Sequence, residues 1–162
     1  MRILGVDPGL ATVGLGLVER ESARSVRAIE WLTIETDAGM APAERLRIIA
    51  DDLEEYIKET SPDLAVVEKL FFSVNVKTAL DVAQARGVIL SVIARHGIPC
   101  LEPTPPELKS CITGDGNADK AQIQRMLMGM FNLKEPPSPD DAADALALAA
   151  FGAFQGRVTL LA

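Results

Sequence analysis

Four acidic side chains in this chain stand where an acid is out of place. Asp7 closes the apolar run Ile3-Leu4-Gly5-Val6, and Glu68 closes Leu64-Ala65-Val66-Val67. Asp141 and Asp144 stand three apart in an alanine-rich stretch, Asp-Ala-Ala-Asp-Ala-Leu-Ala at 141–147. A strand apolar on both faces belongs inside a sheet, and a carboxylate at its end brings charge to the edge of the core. Two acids at i and i+3 on a helix share one face. Carboxylates brought together repel unless cations separate them. An all-oxygen donor set suits Mg²⁺ or Mn²⁺ rather than zinc or copper. Two such ions can activate a water and stabilise the leaving oxygen of a phosphodiester. The chemistry in prospect is that of a nuclease.

Ordinary explanations compete with this one. Asp7 followed by Pro8-Gly9 also fits the first position of a turn. Ser138-Pro139-Asp140-Asp141 reads as a helix start, with Ser138 as N-cap, Pro139 at the first helical position and acids in the first turn. That account covers Asp140 and Asp141 but leaves Asp144 unexplained.

The elements that must position these acids are legible in outline. Residues 3–7 and 12–18 read as a hairpin around Pro8-Gly9, and residues 26–34 as a third, antiparallel strand. Residues 43–59 carry Leu46, Ile49, Ala50, Leu53 and Ile57 at helical spacing, a one-sided surface helix that Ser61-Pro62 ends. Residues 63–68 form the next strand, with Leu64, Val66 and Glu68 on one face and Ala65 and Val67 on the other. A right-handed crossover would make it parallel to the first strand, so that Asp7 and Glu68 both lie at carboxyl ends, where open α/β sheets place their ligands.

Beyond Glu68 the chain reads Leu70-Phe71-Phe72-Ser73. One of these aromatics is expected in the core, and the other, at the mouth of the site, could stack on a base. A helix over residues 74–95 is apolar on two sides, which suggests packing against its own sheet and against a second subunit. A strand over 97–101, a short helix ending near Thr113, a Gly114-Asp115-Gly116 hinge and a helix over 117–131 follow. Lys109 and Lys120 flank the hinge; such lysines are either solvated or hold a phosphate backbone.

Composition sets the outer limits. A chain of 162 residues suits one domain, residues 1–162, with a substantial core. No apolar run approaches the length of a membrane span, and the first strand lacks the features of a signal peptide. Cys100 and Cys111 fit a reducing cytosol, so a cytoplasmic location is expected. His96, before Gly97, fits a helix C-terminus, and one histidine with two cysteines makes no convincing zinc site. The net charge of −7 argues against a nucleic-acid partner. Two divalent cations held by four of the acids would, however, bring it to about −3.

At this point the residues resemble a known family. Gly-Val-Asp-Pro-Gly at 5–9, Val-Glu-Lys-Leu-Phe-Phe at 67–72, Gln-Ala-Arg-Gly at 84–87, Gly-x-Gly-x-Ala-x-Lys at 114–120 and Asp-Ala-Ala-Asp-Ala-Leu-Ala at 141–147 are similar to RuvC, the bacterial Holliday junction resolvases. The motifs span nearly the whole chain in order. The resemblance implies a ribonuclease H-like α/β fold, with a mixed five-stranded sheet flanked by helices. It also implies a homodimer that cuts two opposed strands of a four-way junction with Mg²⁺ or Mn²⁺, two ions per site. Carried over by position, Asp7, Glu68, Asp141 and Asp144 are the catalytic metal-binding acids. Phe71 matches an aromatic that contacts junction bases, and Lys109 and Lys120 match basic residues near the DNA. The branch-migration proteins RuvA and RuvB are implied partners, as is preference for a short thymine-containing cleavage sequence. Asp115, Ser110 and Asn117 depart from the family, which often carries basic side chains there; fewer phosphate contacts are implied.

Two other classes remain open on the residues. A sugar-kinase or actin-like ATPase also starts with Asp-x-Gly on a hairpin, though such enzymes generally need two lobes. A non-catalytic junction-binding module would keep the fold without the acids.

Overall fold

The computed structural model describes residues 1–22, 25–70 and 76–155. Its order is β1 (Arg2–Asp7), β2 (Thr12–Arg20), β3 (Val26–Glu35), α1 (Pro42–Thr60), β4 (Leu64–Val67), α2 (Val76–Arg95), β5 (Cys100–Leu101), α3 (Pro105–Thr113), α4 (Lys120–Phe131) and α5 (Asp140–Gln155). The strands form one mixed sheet in the order β3-β2-β1-β4-β5. The first three make an antiparallel meander, while β4 runs parallel to β1 and β5 parallel to β4. This is the ribonuclease H-like arrangement implied by the motifs.

Strand parity sorts side chains between two cores. Leu4, Val6, Val13, Leu15, Leu17, Ala65 and Val67 face α1 and α2, where they meet Ile49, Leu53, Ile57, Ala85, Ile89 and Ile93. Ile3, Val18, Leu64 and Val66 face α5, with Leu108 of α3 and Leu127 of α4 packed onto the same side. Asp7 continues the odd row of β1 that begins with Ile3, and Glu68 continues the even row of β4. Both acids therefore emerge on the α5 side.

Alpha5 lies on a floor made smooth by glycine. A methyl group at Gly5 would collide with the Ala145 carbonyl, one at Gly14 with the Asp141 carbonyl, and one at Gly16 with the Leu146 backbone. The helix answers with its own small residues: Ala142, Ala143, Ala145, Ala149 and Ala150 are all buried. Glycine's missing Cβ is used here for close approach of backbone to backbone.

Several boundaries differ from expectation for local reasons. The strand expected over 97–101 shrinks to Cys100–Leu101. Gly97, at φ 67°, ends the preceding helix, and Pro99 has no N–H to donate to a ladder. The helix expected from residue 117 starts at Lys120. Asp119 is its N-cap, accepting from Gln122 N at 2.8 Å, while the Gln122 side chain accepts from Asp119 N at 2.7 Å. Alpha5 begins at Asp140, with the Pro139 carbonyl accepting from Ala143 N at 3.0 Å, so the expected Ser138 cap falls one position early. On α2, the Ala85, Ile89, Val92 and Ile93 side is buried, whereas Leu80 is 60% exposed. Among the described residues, no helix is long and apolar enough to cross a membrane, and Cys100 and Cys111 are free thiols.

Candidate active site

Three of the four acids expected at the site line one cleft. Asp7 reaches it from the end of β1, Glu68 from the residue after β4, and Asp144 from the second turn of α5; Lys109 of α3 and Lys120 of α4 complete the polar lining. The cleft encloses about 200 Å³, with Leu108, Ile123 and Leu148 on its apolar side. That is smaller than most pockets that enclose a small organic ligand. A wider groove of about 740 Å³ between α3 and the end of α5 carries none of the four acids.

Asp141 does not line the cleft, but it stands at its edge. Gly14 pairs with Asp7 across the hairpin, and the Asp141 carbonyl lies directly over Gly14. The charge of Asp141 acts on both Asp7 and Asp144. Phe71, the expected base-stacking aromatic, lies outside the described residues.

Electrostatics mark the cleft as an unbalanced acidic site. Burial, with the charges of Asp144, Glu68 and Asp141, pushes the Asp7 carboxyl up to about 7, against an opposing effect of Lys120. Glu68 is raised by burial and by Asp144, with Lys109 opposing. Asp144 is raised by burial, with Lys120 opposing and Asp140 and Asp141 adding to the rise. Burial alone would lower the Lys120 ammonium, but Asp144 and Asp140 hold it above its usual range.

Of the two lysines in the cleft, Lys120 is paired directly with an acid of the site. Its Nζ donates to Asp144 Oδ2 at 3.1 Å and lies 3.3 Å from Asp140 Oδ2. With its side chain 46% exposed, Lys120 is thus solvated and ion-paired at once, at the rim of the acidic cluster. Asp140, expected only as a helix-start acid, takes part in it. Asp115 has a structural use: its Oδ1 accepts from Asn117 N at 2.8 Å and shapes the turn before α4.

Among the described residues, no three His, Cys, Asp or Glu side chains converge tightly enough to form a ready metal cage. The donor set nevertheless fits a hard divalent cation. Its groups are carboxylate oxygens, half-buried and mutually repelling, with one lysine already drawn in as partial compensation. The cleft also has a support that the sequence reading missed, Arg86 of α2. Its Nε donates to the Glu68 carbonyl at 2.9 Å, and its guanidinium pairs with Glu102. The available signal was an arginine within the apolar face of a helix, between Val82 and Ile89.

Comparison with known proteins agrees with this geometry. The family model described as crossover junction endodeoxyribonuclease RuvC matches residues 3–151. A crossover junction endodeoxyribonuclease RuvC from Moorella thermoacetica is 49% identical over 149 residues, covering 92% of this chain and 89% of the relative. The structure of T. thermophilus RuvC in complex with Holliday junction substrate superposes with a TM-score of 0.91 at 32% identity, covering 97% of this chain and 95% of that one. A yeast mitochondrial Holliday junction resolvase shares the fold, with a TM-score of 0.68 at 14% identity over 94% of this chain and 78% of that one. The acids closing two parallel strands, the glycine floor under α5 and the match along nearly the whole chain lead to one assignment: this chain belongs to the RuvC family of crossover junction endodeoxyribonucleases.

Proposed function

We propose that this chain resolves four-way DNA junctions by paired, divalent-metal-dependent cleavage of two opposed strands, in recombination and DNA repair. The observation that carries the reading is the convergence of Asp7, Glu68 and Asp144, from three separate elements, on one cleft shared with Lys109 and Lys120.

In this reading Asp7, Glu68, Asp141 and Asp144 hold the metal. Nucleases of this family are in general divalent-metal dependent; Mg²⁺ or Mn²⁺, two ions per site, is the form proposed here. Bound there, the metal would supply an activated water and charge compensation for the leaving oxygen. The chain's own residues prepare that chemistry. Burial removes water from around Asp7 and Glu68, which strengthens every charge interaction in the cleft. Lys120 holds Asp144 in place through its ion pair, and with Lys109 it lines the cleft where a phosphate backbone would be met. Phe71 stacks on a junction base.

Paired cuts need two such sites related by a two-fold axis. The Leu80 side of α2 is the apolar surface proposed to meet a second copy. The same proposal takes residues 1–162 as one nuclease domain acting in the cytoplasm, with RuvA and RuvB as partners. The test is Mg²⁺-dependent cutting of a synthetic four-way junction beside a linear duplex of the same sequence. Symmetric nicks in the junction alone are expected; equal cutting of both substrates, or none of either, would overturn the reading.

A further inference from the structure

The peptide unit that joins Glu68 to Lys69 is held at both of its polar atoms. Its carbonyl, that of Glu68, accepts from Arg86 Nε at 2.9 Å. Its N–H, that of Lys69, donates to the Pro103 carbonyl at 2.8 Å. The remaining guanidinium edge of Arg86 is paired with Glu102, the residue before Pro103. The three contacts close a ring: α2 to the end of β4, β4 to the segment ahead of α3, and that segment back to α2.

This ring lies where regular pairing stops. Beta4 ends at Val67, so Glu68 is the first residue without a sheet partner to fix its backbone. A carboxylate that must sit within a few tenths of an ångström of its ligand position needs some other restraint. Arg86 is suited to it. Its side chain is only 16% exposed, and its rigid planar fork aims separate N–H groups at two acceptors in a fixed geometry, where a lysine offers a single ammonium point on a flexible stem.

We propose that Arg86, locked by Glu102, is a positioning residue that fixes the Glu68 carboxylate for metal binding. The inference rests on the reading of Glu68 as a metal ligand. It predicts that loosening the ring weakens metal binding before it weakens junction binding, because no member of the ring need touch DNA for this role. Partners that orient a ligand typically change metal affinity or activity by about 10- to 100-fold when removed.

The experiment measures Mn²⁺ binding to the protein alone by electron paramagnetic resonance. It is paired with single-turnover cleavage of a synthetic four-way junction as Mg²⁺ is titrated. Arg86→Gln is expected to raise the metal half-saturation in both assays by about tenfold or more, with junction affinity in EDTA unchanged. Arg86→Lys is expected to fall between wild type and Arg86→Gln, since it keeps the charge but loses the fork. Glu102→Ala, which unlocks Arg86 and leaves Glu68 chemically intact, should shift the half-saturation the same way, and it serves if Arg86→Gln fails to fold. Ile49→Val, which loosens the core under α1, controls for general destabilisation and should leave the half-saturation where it is. If Arg86→Gln and Glu102→Ala bind Mn²⁺ and cut as wild type does, or if Arg86→Lys is fully wild type, the clamp is overturned. If wild type itself neither binds Mn²⁺ nor cuts, the underlying reading falls, and the inference with it.

Discussion

Asp7 gives the acidic cleft a test that needs no DNA. In the fold its carboxyl is pushed up to about 7, whereas in the unfolded chain it titrates near the ordinary 3.8. A carboxyl raised by folding stabilises the fold only while it is protonated there. Stability is therefore highest below the unfolded pKa and is lost as pH rises through the folded one. Above pH 7 the fold bears the full cost of a buried, repelled carboxylate, at most about 4 kcal/mol for a separation of this size. Asp7→Asn keeps the shape and removes the charge, though its amide still costs roughly 1–2 kcal/mol to bury. The apo variant should then be more stable than apo wild type at pH 8 by about 2–3 kcal/mol, and about equal to it near pH 4.5.

At about 2–4 °C per kcal/mol for a chain of this size, the melting gap should open by about 4–12 °C between those two pH values. Melting both proteins in EDTA by circular dichroism across pH 4.5–8 measures it. Added Mg²⁺ at pH 8 should raise the wild-type Tm more than the variant's, by mass action on the folded state. A variant that melts below wild type at pH 8, or a gap that does not change with pH, would show that Asp7 is a turn residue rather than a member of a repelling cluster.

The other expectations concern chemistry, packing and assembly. Glu68→Gln and Asp144→Asn should each abolish cutting while gel-shift assays still show junction binding. Asp140→Asn should cut and Asp141→Asn should not; the opposite pattern would move the helix register by one residue. Gly14→Ala drives a methyl into the Asp141 carbonyl, so it should cost about 1–3 kcal/mol in denaturant unfolding and lose cleavage by lifting the start of α5. Lys120→Ala should weaken junction binding across sequences and flatten the salt dependence by about 0.9 in log–log slope; an unchanged slope would leave Lys120 only as a partner of Asp144 and Asp140. Light scattering should report a homodimer, and Leu80→Glu on α2 should dissociate it with loss of paired cutting; cutting by an intact monomer would refute the two-site arrangement.

Much of this site could be read along the chain because the relevant physics is local. An apolar run ending on an acid, repeated at Asp7 and Glu68, marks strand ends at the rim of a core. Leu64 and Val66 alternate with Ala65 and Val67, and that alternation alone puts Glu68 on a definite face. The Asp-x-x-Asp spacing puts Asp141 and Asp144 on one side of a helix before any partner is known. The motifs extend this to a family, because their order along the chain carries information beyond any single element.

What the chain could not reveal was distance between elements far apart in sequence. Gly5, Gly14 and Gly16 look like ordinary strand glycines until α5 is laid across them, and their missing side chains then set how near Asp141 comes to Asp7. Lys120 had two readings, solvation as the cheaper one and a phosphate backbone as the other, until α4 started at its own capping box and turned that ammonium onto Asp144 and Asp140. Arg86 was one residue of a motif on an apolar helix face; only the packing of α2 against the sheet brings it to the Glu68 carbonyl. Periodicity and capping are decided by neighbours within a few residues, and so they are written in order along the chain. Charge compensation and backbone approach depend on contacts closed across 18 residues in one case and 24 in another, and those form only when the whole core closes.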